Sequence, residues 1–376
     1  MRAIVNAKAF LEALKQLEKL PQKFGIPALR GILARFSDGC CSLTAMDLTT
    51  CLTVKLPSQG SNFSFVFPNP KAVLNACRYY DGELTIETCG VKLKSIMYLS
   101  RAYDTEPNFT QVDFFCGRRA GEFDILPAKD YPELPKQEEG VSFQANAANL
   151  LKRVERVKYA VREPAGSSYQ AEQTCVQFSG NDVFCLDGWR ASCDTDPALT
   201  FPKPFLTWGK SLSYLKLMGN QDVSVHLDAW NVWFSSEDVC LSCQQEGAEP
   251  FSLASAVPDT FREEFYVNTA EFLRELGYLK GFIQSKRSGC VRFCGGKMML
   301  TDGSNRGGTE VQIDGHSKLT VGFSLRFMED ALKQFKGEEF VKIKLRSEIG
   351  PIIIEADGRN DFAMVLPVRL RETKAA

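Results

Sequence analysis

The sequence has few of the residues and none of the motifs from which common enzyme active sites are built. Only two of its 376 residues are histidines, His226 and His316, and neither belongs to a recognisable catalytic or metal-binding motif. There is no GxxxxGK[ST] loop, no HExxH, no GxSxG and no GxGxxG. These absences argue against the common nucleotide-hydrolysing, zinc-dependent, serine-hydrolase and dinucleotide-dependent enzymes. We therefore expect no catalytic residue, no metal and no cofactor.

Long apolar runs and a large net charge are also lacking. No stretch approaches the ~20 apolar residues that a membrane-spanning helix needs, and the first residues do not have the pattern of a signal peptide. The net charge of −1 argues against a uniformly basic nucleic-acid binder. With 44% hydrophobic and 24% charged residues, the composition is typical of a globular protein, which we expect to be cytoplasmic.

Cysteine, by contrast, is abundant, with thirteen residues in the chain. Most of them lie in apolar, strand-like stretches, as Cys175, Cys185 and Cys294 do, which predicts reduced thiols in the core. Cys240 and Cys243 form an isolated CxxC. Residues three apart in a strand face opposite sides, and no knuckle glycine follows this pair, so we do not expect a zinc site.

One short phrase occurs three times along the chain. VNAKAFLEAL begins at Val5, ANAANLLKRV at Ala145 and VNTAEFLREL at Val267. In each copy an asparagine precedes a bulky apolar pair by the same spacing, in the pattern of an amphipathic helix. A threefold internal repeat is the simplest explanation.

Two further markers recur in the same order. The first marker is a pattern that starts at Phe67, at Phe201 and at Val321. In each copy the end of a strand is followed by a helix, a polar turn and a strand of alternating apolar and polar residues. Between the first and second phrases, an apolar strand runs each time into an aspartate: Asp47, Asp187 and Asp302. These aspartates could form a carboxylate cluster, but their equivalent places in three repeats favour a turn-capping role.

The markers predict three copies of one domain, at residues 1–133, 137–250 and 258–376. The boundaries lie where turn residues and charges collect, in YPELPKQEEG and in QQEGAEPFSLASAVPDTFREE. Between the markers apolar and polar residues alternate, which is typical of antiparallel strands with one buried face. The predicted class is α+β, with an antiparallel sheet and two helices in each domain.

The six predicted helices carry a clear excess of positive over negative charge. Their windows contain twenty Lys and Arg residues against nine Asp and Glu, although the whole chain is nearly neutral. Surface helices that simply favoured lysine would favour glutamate about equally. An excess of cations suits contacts with phosphates that do not read the bases, whereas the acidic remainder would discourage indiscriminate binding elsewhere.

Four stretches resemble the bacterial DNA sliding clamp, the β subunit of DNA polymerase III. They are IPALRGILARFSDGCCSLTAMDLTT (26–50), DYPELP (130–135), LDGWRAS (186–192) and MVLPVRL (364–370). Each is a moderate signal alone, but together, in this order on a threefold repeat, they are specific. The resemblance covers essentially the whole length.

The resemblance implies a head-to-tail homodimer that closes a ring of six domains, with twelve helices around duplex DNA. The function implied is that of a processivity factor, which tethers the DNA polymerase III α subunit, the clamp loader and other proteins that carry a clamp-binding motif. Binding to double-stranded DNA would not depend on its sequence. The alternatives are a clamp-fold binding or scaffold protein that does not close a ring, and an enzyme whose site has no recognisable motif.

The family's partner-peptide pocket can be carried over residue by residue. One wall would be the strand and turn near Asp187, the other would be the C-terminal strand, and the linker before the third domain would contribute two residues. The implied pocket residues are Leu186, Gly188, Trp189, Arg190, Ala191, Pro250, Val257, Met364, Leu366, Pro367, Val368, Arg369 and Leu370.

The ring implies two further sets of residues. The cations expected to face DNA are Lys15, Lys19, Lys23, Lys71, Arg78, Lys152, Arg153, Arg156, Lys210, Lys216, Lys280 and Lys333. The residues expected at the dimer interface are Phe123 and Ile125 on one side, and Phe282 and Ile283 of the partner's third domain on the other.

The chain departs from the family pattern at several places, which suggests a divergent clamp. Trp189 stands where a histidine is usual, and Ala191 where a larger aliphatic residue is usual. RETKAA continues beyond the Arg-Leu pair at which the family normally ends, and the segment 100–123 is longer than its counterpart. We expect the Trp189 indole to be at least half-buried, to narrow the pocket and to offer one N–H donor.

Overall fold

A computed structural model describes residues 1–20, 27–88, 110–163, 170–283, 289–301 and 309–370. It divides into two compact units. The first unit combines Met1–Ala148 with Lys210–Gln244, and the second combines Asn149–Gly209 with Gln245–Ala376. No helix in the described ranges combines the length and the apolar character needed to cross a bilayer.

Seven α-helices lie in the described residues: α1 (Ala7–Leu17), α2 (Pro70–Cys77), α3 (Ala147–Val157), α4 (Ala171–Thr174), α5 (Gly209–Leu212), α6 (Thr269–Lys280) and α7 (Leu325–Leu332). The 3-10 turns are Pro27–Arg30, Ala128–Asp130, Lys158–Ala160, Ser213–Met218, Leu253–Ser255 and Lys333–Phe335.

The strands that precede residue 137 are β1 (Arg2–Asn6), β2 (Ile32–Ser37), β3 (Cys40–Met46), β4 (Thr50–Gly60), β5 (Phe63–Phe67), β6 (Glu83–Glu87), β7 (Gln111–Cys116), β8 (Arg119–Asp124) and β9 (Leu126–Pro127). Those that follow are β10 (Val141–Asn146), β11 (Val176–Gly180), β12 (Asp182–Leu186), β13 (Arg190–Thr195), β14 (Phe201–Thr207), β15 (Asp222–Leu227), β16 (Asn231–Ser235) and β17 (Val239–Gln244). The last third contains β18 (Glu263–Asn268), β19 (Cys290–Cys294), β20 (Lys297–Thr301), β21 (Thr309–Gln312), β22 (Val321–Ser324), β23 (Phe340–Leu345), β24 (Ile352–Glu355) and β25 (Asp361–Val365).

Each third of the chain follows the same order of elements: strand, helix, three strands, then strand, helix and three more strands. The pairing is also repeated, because β1 pairs with β6, β10 with β15 and β18 with β23, all antiparallel. The predicted α+β fold with three repeats is therefore confirmed. The short helix α4 is an addition in the second repeat, and the short strand β9 is an addition in the first.

Helix capping explains the repeated asparagine in the first and third copies. Asn6 Oδ1 accepts a hydrogen bond from Ala9 N at 3.0 Å at the start of α1, and Asn268 Oδ1 accepts from Glu271 N at 2.9 Å at the start of α6. Such a side chain satisfies one of the N–H groups that the first helical turn leaves unpaired. The first member of each bulky pair, such as Phe10, is buried beneath the sheet-facing side of its helix.

Strands from neighbouring repeats pair directly. In the first unit β17 of the second repeat pairs with β4 of the first, and in the second unit β25 of the third repeat pairs with β13 of the second. Both pairings are antiparallel. Because these sheets cross the repeat boundaries, the two compact units do not coincide with the three repeats.

Two edge strands lack the pairing between repeats that their counterparts make. The main strand path of the first unit runs β10-β15-β16-β17-β4-β1-β6-β7-β8 and ends at β8. In the second unit, the four-stranded sheet β21-β20-β19-β22 ends at β21. By position in the repeat, β8 corresponds to β17 and β25, whereas β21 corresponds to β4 and β13.

The twelve described cysteines are free thiols. Cys175 and Cys185 lie in the core as predicted, but Cys294 is only half-buried. Burial raises the pKa of Cys290 to about 11 and disfavours its thiolate form. Among the described residues, no group of three or more His, Cys, Asp or Glu side chains could hold a metal ion.

Candidate functional site

The turns after two of the marked aspartates are built in the same way. Asp187 Oδ1 accepts hydrogen bonds from Trp189 N at 2.8 Å and Arg190 N at 2.9 Å. Asp47 Oδ1 accepts from the backbone N–H groups two and three residues further on, at 2.9 and 2.8 Å. The turn-capping role is confirmed for both aspartates. Asp302 lies outside the described residues.

The two predicted walls of the peptide pocket are joined by backbone pairing in the second unit. In the β13–β25 pair, Arg190 lies opposite Val365 and Ala191 lies opposite Met364. One step further, Leu366 N donates a hydrogen bond to Trp189 O at 2.8 Å. Residues far apart in the sequence therefore form one continuous surface.

The floor of this surface is a small apolar cluster. Ala191 and Met364 are buried in it together with Leu253, which belongs to the 3-10 turn of the linker. Leu186 and Val257 are half-buried and pack against the same cluster. These residues therefore form the buried support of the predicted site and are not its exposed contact surface. Pro250 is half-buried and lies outside the cluster.

Arg190 is buried and connects the turn to helix α7 through two ion pairs. Its Nε atom lies 2.9 Å from Asp187 Oδ2, and its Nη1 atom lies 2.6 Å from Asp330 Oδ2. The guanidinium carbon lies 4.7 Å from the centre of the Phe327 ring. Burial also raises the pKa of the neighbouring Tyr159 above its ordinary range. With two carboxylates and an aromatic face as partners, this cation is held in one orientation.

The Trp189 side chain is exposed, with 65% of its surface accessible. The expectation of an indole that is at least half-buried is therefore wrong. Hydrogen bonds to Asp187 and from Leu366 fix the backbone of this residue, while its side chain is accessible to solvent. Gly188 makes this turn possible with a φ of 87°, a conformation that glycine adopts readily.

A cleft of about 740 Å³ in the second unit adjoins the C-terminal wall. Val368 lines it together with Phe327 and Asp330 of α7. Val368 N donates to Gly322 O at 2.8 Å, and a Cβ on Gly322 would lie only 2.5 Å from the Val368 carbonyl oxygen. The glycine thus allows the segment around Val368 to lie against β22. Leu366, Pro367 and Leu370 are half-buried and Arg369 is exposed.

Glu329 binds two of the predicted DNA-facing cations within the same cleft. Lys280 Nζ lies 2.7 Å from Glu329 Oε2, and Lys333 Nζ lies 2.8 Å from Glu329 Oε1. Burial of Glu329 favours its neutral form, but the hydrogen bonds from the two lysines outweigh that effect and lower its pKa. Both lysines are exposed and remain partly neutralised by this carboxylate.

Six other predicted DNA-facing cations are exposed and form no ion pair with any described residue: Lys19, Lys71, Arg78, Lys152, Lys210 and Lys216. Lys15 is exposed and lies 2.6 Å from Glu12. Lys23 lies outside the described residues.

Arg153 does not belong to this exposed set. Only 1% of its surface is accessible, and its Nε atom lies 2.8 Å from Asp194 Oδ1. Arg156 is half-buried and lies 2.6 Å from the other oxygen of the same carboxylate. The expectation that Arg153 faces DNA is wrong, because its charge is used to neutralise a buried aspartate.

The residues predicted at a dimer interface differ in exposure. Ile125 is buried and Phe123 is half-buried, with its ring centre 4.8 Å from that of Phe114. Phe282 is exposed, and Ile283 is half-buried.

Asp330 and Phe327 escaped the sequence analysis although both hold Arg190 in place. Neither residue belongs to a motif, and both lie in an ordinary amphipathic helix. The only available signal was that an arginine next to a predicted pocket needs a carboxylate if it is buried.

Comparison with known proteins shows which fold this arrangement belongs to. No protein-family model matches the sequence, and a sequence search finds no match among curated proteins. The structure is similar to DNA polymerase III subunit beta from Pseudomonas aeruginosa, with 17% identity and a TM-score of 0.82 over 98% of this chain and 100% of that one. It is similar to the corresponding subunit from Thermotoga maritima, with 21% identity and a TM-score of 0.80 over 98% and 100%.

A third similar structure contains a bound ligand. It is a sliding clamp, DNA polymerase III subunit beta, from Bartonella birtlesii bound to griselimycin, with 17% identity and a TM-score of 0.81 over 98% of this chain and 99% of that one. The chain described here therefore has the fold of the DNA polymerase III β sliding clamps.

Proposed function

We propose that the protein is a DNA sliding clamp, a non-enzymatic processivity factor that encircles duplex DNA in the cytoplasm. The observation that carries this proposal is the structural match to sliding clamps over 98% of the chain. In this proposal the chain consists of three clamp domains, at residues 1–133, 137–250 and 258–376, and two chains form a head-to-tail ring.

Internal repetition supports a specific way of closing the ring. At both junctions between repeats, the last strand of the following repeat pairs antiparallel with the fourth strand of the preceding repeat. These pairs are β17 with β4, and β25 with β13. Applied to the two leftover edges, this rule pairs β8 of one chain with β21 of its partner. Closure would cover the two exposed edges, which otherwise invite nonspecific pairing.

Some of the apolar residues near these edges fit the same proposal. We propose that the half-buried Phe123 of β8 contributes to the interface, whereas Ile125, which follows β8, is already buried within the single chain and would support the interface only from the core. Phe282, exposed in the single chain, would be covered by apolar side chains of the partner. We propose that Ile283 contributes from the same side.

Contact with DNA would come from the exposed helical cations. Lys71, Arg78 and Lys152 are typical of this set, since each is exposed and without an ion pair in the described part of the chain. Such side chains can exchange phosphate partners quickly, because each contact is weak and independent of the base sequence. Enclosure would supply persistence, and the weak contacts would permit sliding.

Partner proteins would dock on the surface around Trp189. Its exposed indole, the half-buried Leu366 and the cleft beside Val368 offer apolar contacts to a short peptide with a leucine or aromatic anchor. Arg190 would keep this surface in shape through its carboxylate partners. The proposed partners are the DNA polymerase III α subunit, the clamp loader and other proteins with a clamp-binding motif.

The decisive experiment compares retention on circular and linear DNA. The purified protein is loaded onto a nicked circular plasmid with a clamp loader, and half of the sample is linearised before gel filtration. Enclosure predicts that the protein elutes with the circle and is lost from the linear molecule through its free ends. A linear plasmid with blocked ends is the control and should retain the protein.

Equal retention on circular and open linear DNA would contradict the ring and indicate ordinary surface binding. A monomeric mass at micromolar concentration, with no retention on any DNA, would favour a clamp-fold binding protein that does not close.

A further inference from the structure

A second cleft, of about 350 Å³, lies in the first unit at the junction of the first and second repeats. The turn Asp47–Thr50 forms one side, the end of β17 forms another, and Trp230 contributes from the turn before β16. The proposed peptide site does not use this cleft.

Its backbone framework matches that of the proposed peptide site. Gln244 N donates to Thr49 O at 2.8 Å, in the same way as Leu366 N donates to Trp189 O at 2.8 Å. In the adjoining strand pairs, Cys243 lies opposite Thr50, as Val365 lies opposite Arg190. The two junctions are therefore equivalent at the level of hydrogen-bond register.

The buried apolar residues beneath the two sites are also arranged equivalently. Met46 and Cys51, which flank the first turn, are buried in a cluster with Tyr131, and Leu134 packs against it. Tyr131 and Leu134 belong to the linker between the first two repeats. At the other junction the linker covers Leu186 and Ala191 in the same manner. Each linker thus packs against the apolar cluster under its turn and leaves a groove on the solvent side.

Two large apolar side chains border this groove without cover. Leu48 is 75% exposed and Trp230 is 65% exposed. Single exposed apolar residues are common, but a leucine and a tryptophan that line one concave surface are typical of a contact site.

The charge of the groove distinguishes it from the first site. At the first site Arg190 neutralises Asp187 Oδ2, but the residue equivalent to Arg190 here is Thr50, whose hydroxyl lies 2.5 Å from Ser211 Oγ. Asp47 Oδ2 therefore has no hydrogen-bond partner among the described residues.

The only other charged residue that lines the groove within the described chain is Glu133. It is paired with Lys136, but both side chains are highly exposed and such a pair exchanges readily. A positively charged ligand would therefore find two carboxylates in the groove, and no cation among the described lining residues would repel it.

We propose that this groove is a second peptide-docking site, which takes a short segment of another protein with one bulky apolar side chain beside a lysine or arginine. The apolar side chain would pack between Leu48 and Trp230, and the cation would pair with Asp47. This goes beyond the proposed clamp function, since each chain would hold two partners on equivalent frameworks with different charge preferences.

The test uses the full-length protein with the substitution Trp189→Ser, which removes the exposed indole of the first peptide site, and two fluorescein-labelled probes, Gly-Lys-Leu-Phe-Lys-Gly and Gly-Glu-Leu-Phe-Glu-Gly. Fluorescence anisotropy measures the binding of each probe. The double variant Leu48→Ser/Trp230→Ser should weaken binding of the cationic probe at least about tenfold, as loss of an apolar anchor does. The matched control Ile349→Ser, made in the same Trp189→Ser background, alters an exposed apolar residue outside both clefts and should leave this binding unchanged.

A second variant separates charge from shape. In Asp47→Asn the amide oxygen can still cap the turn, so the fold is retained while the charge is removed. The preference for the cationic over the acidic probe should fall at least about fivefold, an effect within the range of an exposed to partly buried ion pair.

Three results would overturn the proposal. The first is unchanged binding of the cationic probe when Leu48→Ser and Trp230→Ser are added to the Trp189→Ser protein. The second is equal binding of the two probes to the Trp189→Ser protein itself. The third is a lower sedimenting mass for the double variant, which would assign the groove to a second copy of this chain.

Discussion

Two arginines show that a buried cation in this protein depends on a carboxylate partner. Arg153 and Arg190 are both buried, and each is bound by carboxylates. In α3, Arg153 follows Leu150 by three residues and precedes Val157 by four, so it lies on the buried side of the helix. Burial without Asp194 would be too costly, and the carboxylate therefore decides the orientation of the side chain.

Lys152 and Arg153 are neighbours in sequence, and we expect their substitutions to have opposite consequences. Arg153→Ala leaves Asp194 buried with only Arg156 as a partner, and should lower the free energy of unfolding by about 3–5 kcal/mol. Lys152→Glu changes an exposed residue and should alter it by less than about 0.5 kcal/mol. Urea denaturation followed by circular dichroism measures both values.

Only Lys152→Glu should affect DNA binding in the folded protein. The log–log dependence of binding on salt should become less steep by about 0.9 for each phosphate that is no longer neutralised. An unchanged slope would mean that Lys152 does not face DNA. Equal destabilisation by both substitutions would contradict the burial of Arg153.

At the scale of elements, the turn and the C-terminal strand of the proposed peptide site form one surface only because they pair. LDGWRAS and MVLPVRL are separated by more than 170 residues and are each moderate signals. The β13–β25 register places Ala191 opposite Met364 and leaves Trp189 at the rim. The surface therefore depends on a sheet that joins two repeats.

We expect a short peptide with one leucine or phenylalanine anchor to bind this surface with micromolar affinity. Trp189→Ala should change the binding free energy by on the order of 1–2 kcal/mol, since the exposed indole is free to contact the peptide. Titration calorimetry with the full-length protein gives the value. Ile349→Ala, which removes another exposed apolar side chain, is the control and should bind normally.

Truncation tests the other wall of the same surface. Removing residues 371–376 should leave the affinity equal or raise it. Removing residues 368–376 should abolish binding, because it deletes the backbone bond from Val368 to Gly322. If both truncated proteins and Trp189→Ala bind as the complete chain does, partners dock elsewhere.

At the scale of the whole molecule, the repetition of one strand pairing supports the proposed assembly. The same pairing joins the first repeat to the second and the second to the third. A chain built by this rule has one unused edge of each kind, β8 and β21. Two chains can satisfy both edges by closing head to tail.

Phe282→Lys should open the proposed ring. A charged side chain at this exposed position would have to lose water in the dimer but not in the single chain. We expect sedimentation velocity at micromolar concentration to shift from dimer to monomer, while the melting temperature of the monomer stays unchanged. Retention on circular DNA should be lost in parallel.

Ile349→Lys introduces the same charge at another exposed apolar position and should leave the dimer intact. A Phe282→Lys protein that remained dimeric would place the interface elsewhere.

Much of this protein could be predicted from the sequence because the relevant signals are local. The threefold repeat, the alternating strands and the helix starts depend on residues within a few positions of one another, such as Asn6 and the N–H of Ala9. The capping roles of Asp47 and Asp187 are local for the same reason. The resemblance of two separate motifs also predicted that LDGWRAS and MVLPVRL are neighbours, which the β13–β25 pairing confirms, whereas the pocket between them stays a prediction.

Tertiary structure alone decided the features that depend on distant partners. Arg190 meets Asp330 across 140 positions, and Arg153 meets Asp194 across 41. Whether a cation is buried depends on whether such a carboxylate arrives, which no local pattern specifies. The exposure of Trp189 and the pairing of strands between repeats follow from the same kind of long-range contact. The sequence by itself thus determined the repeated module, and its tertiary contacts decided which side chains remain available for binding.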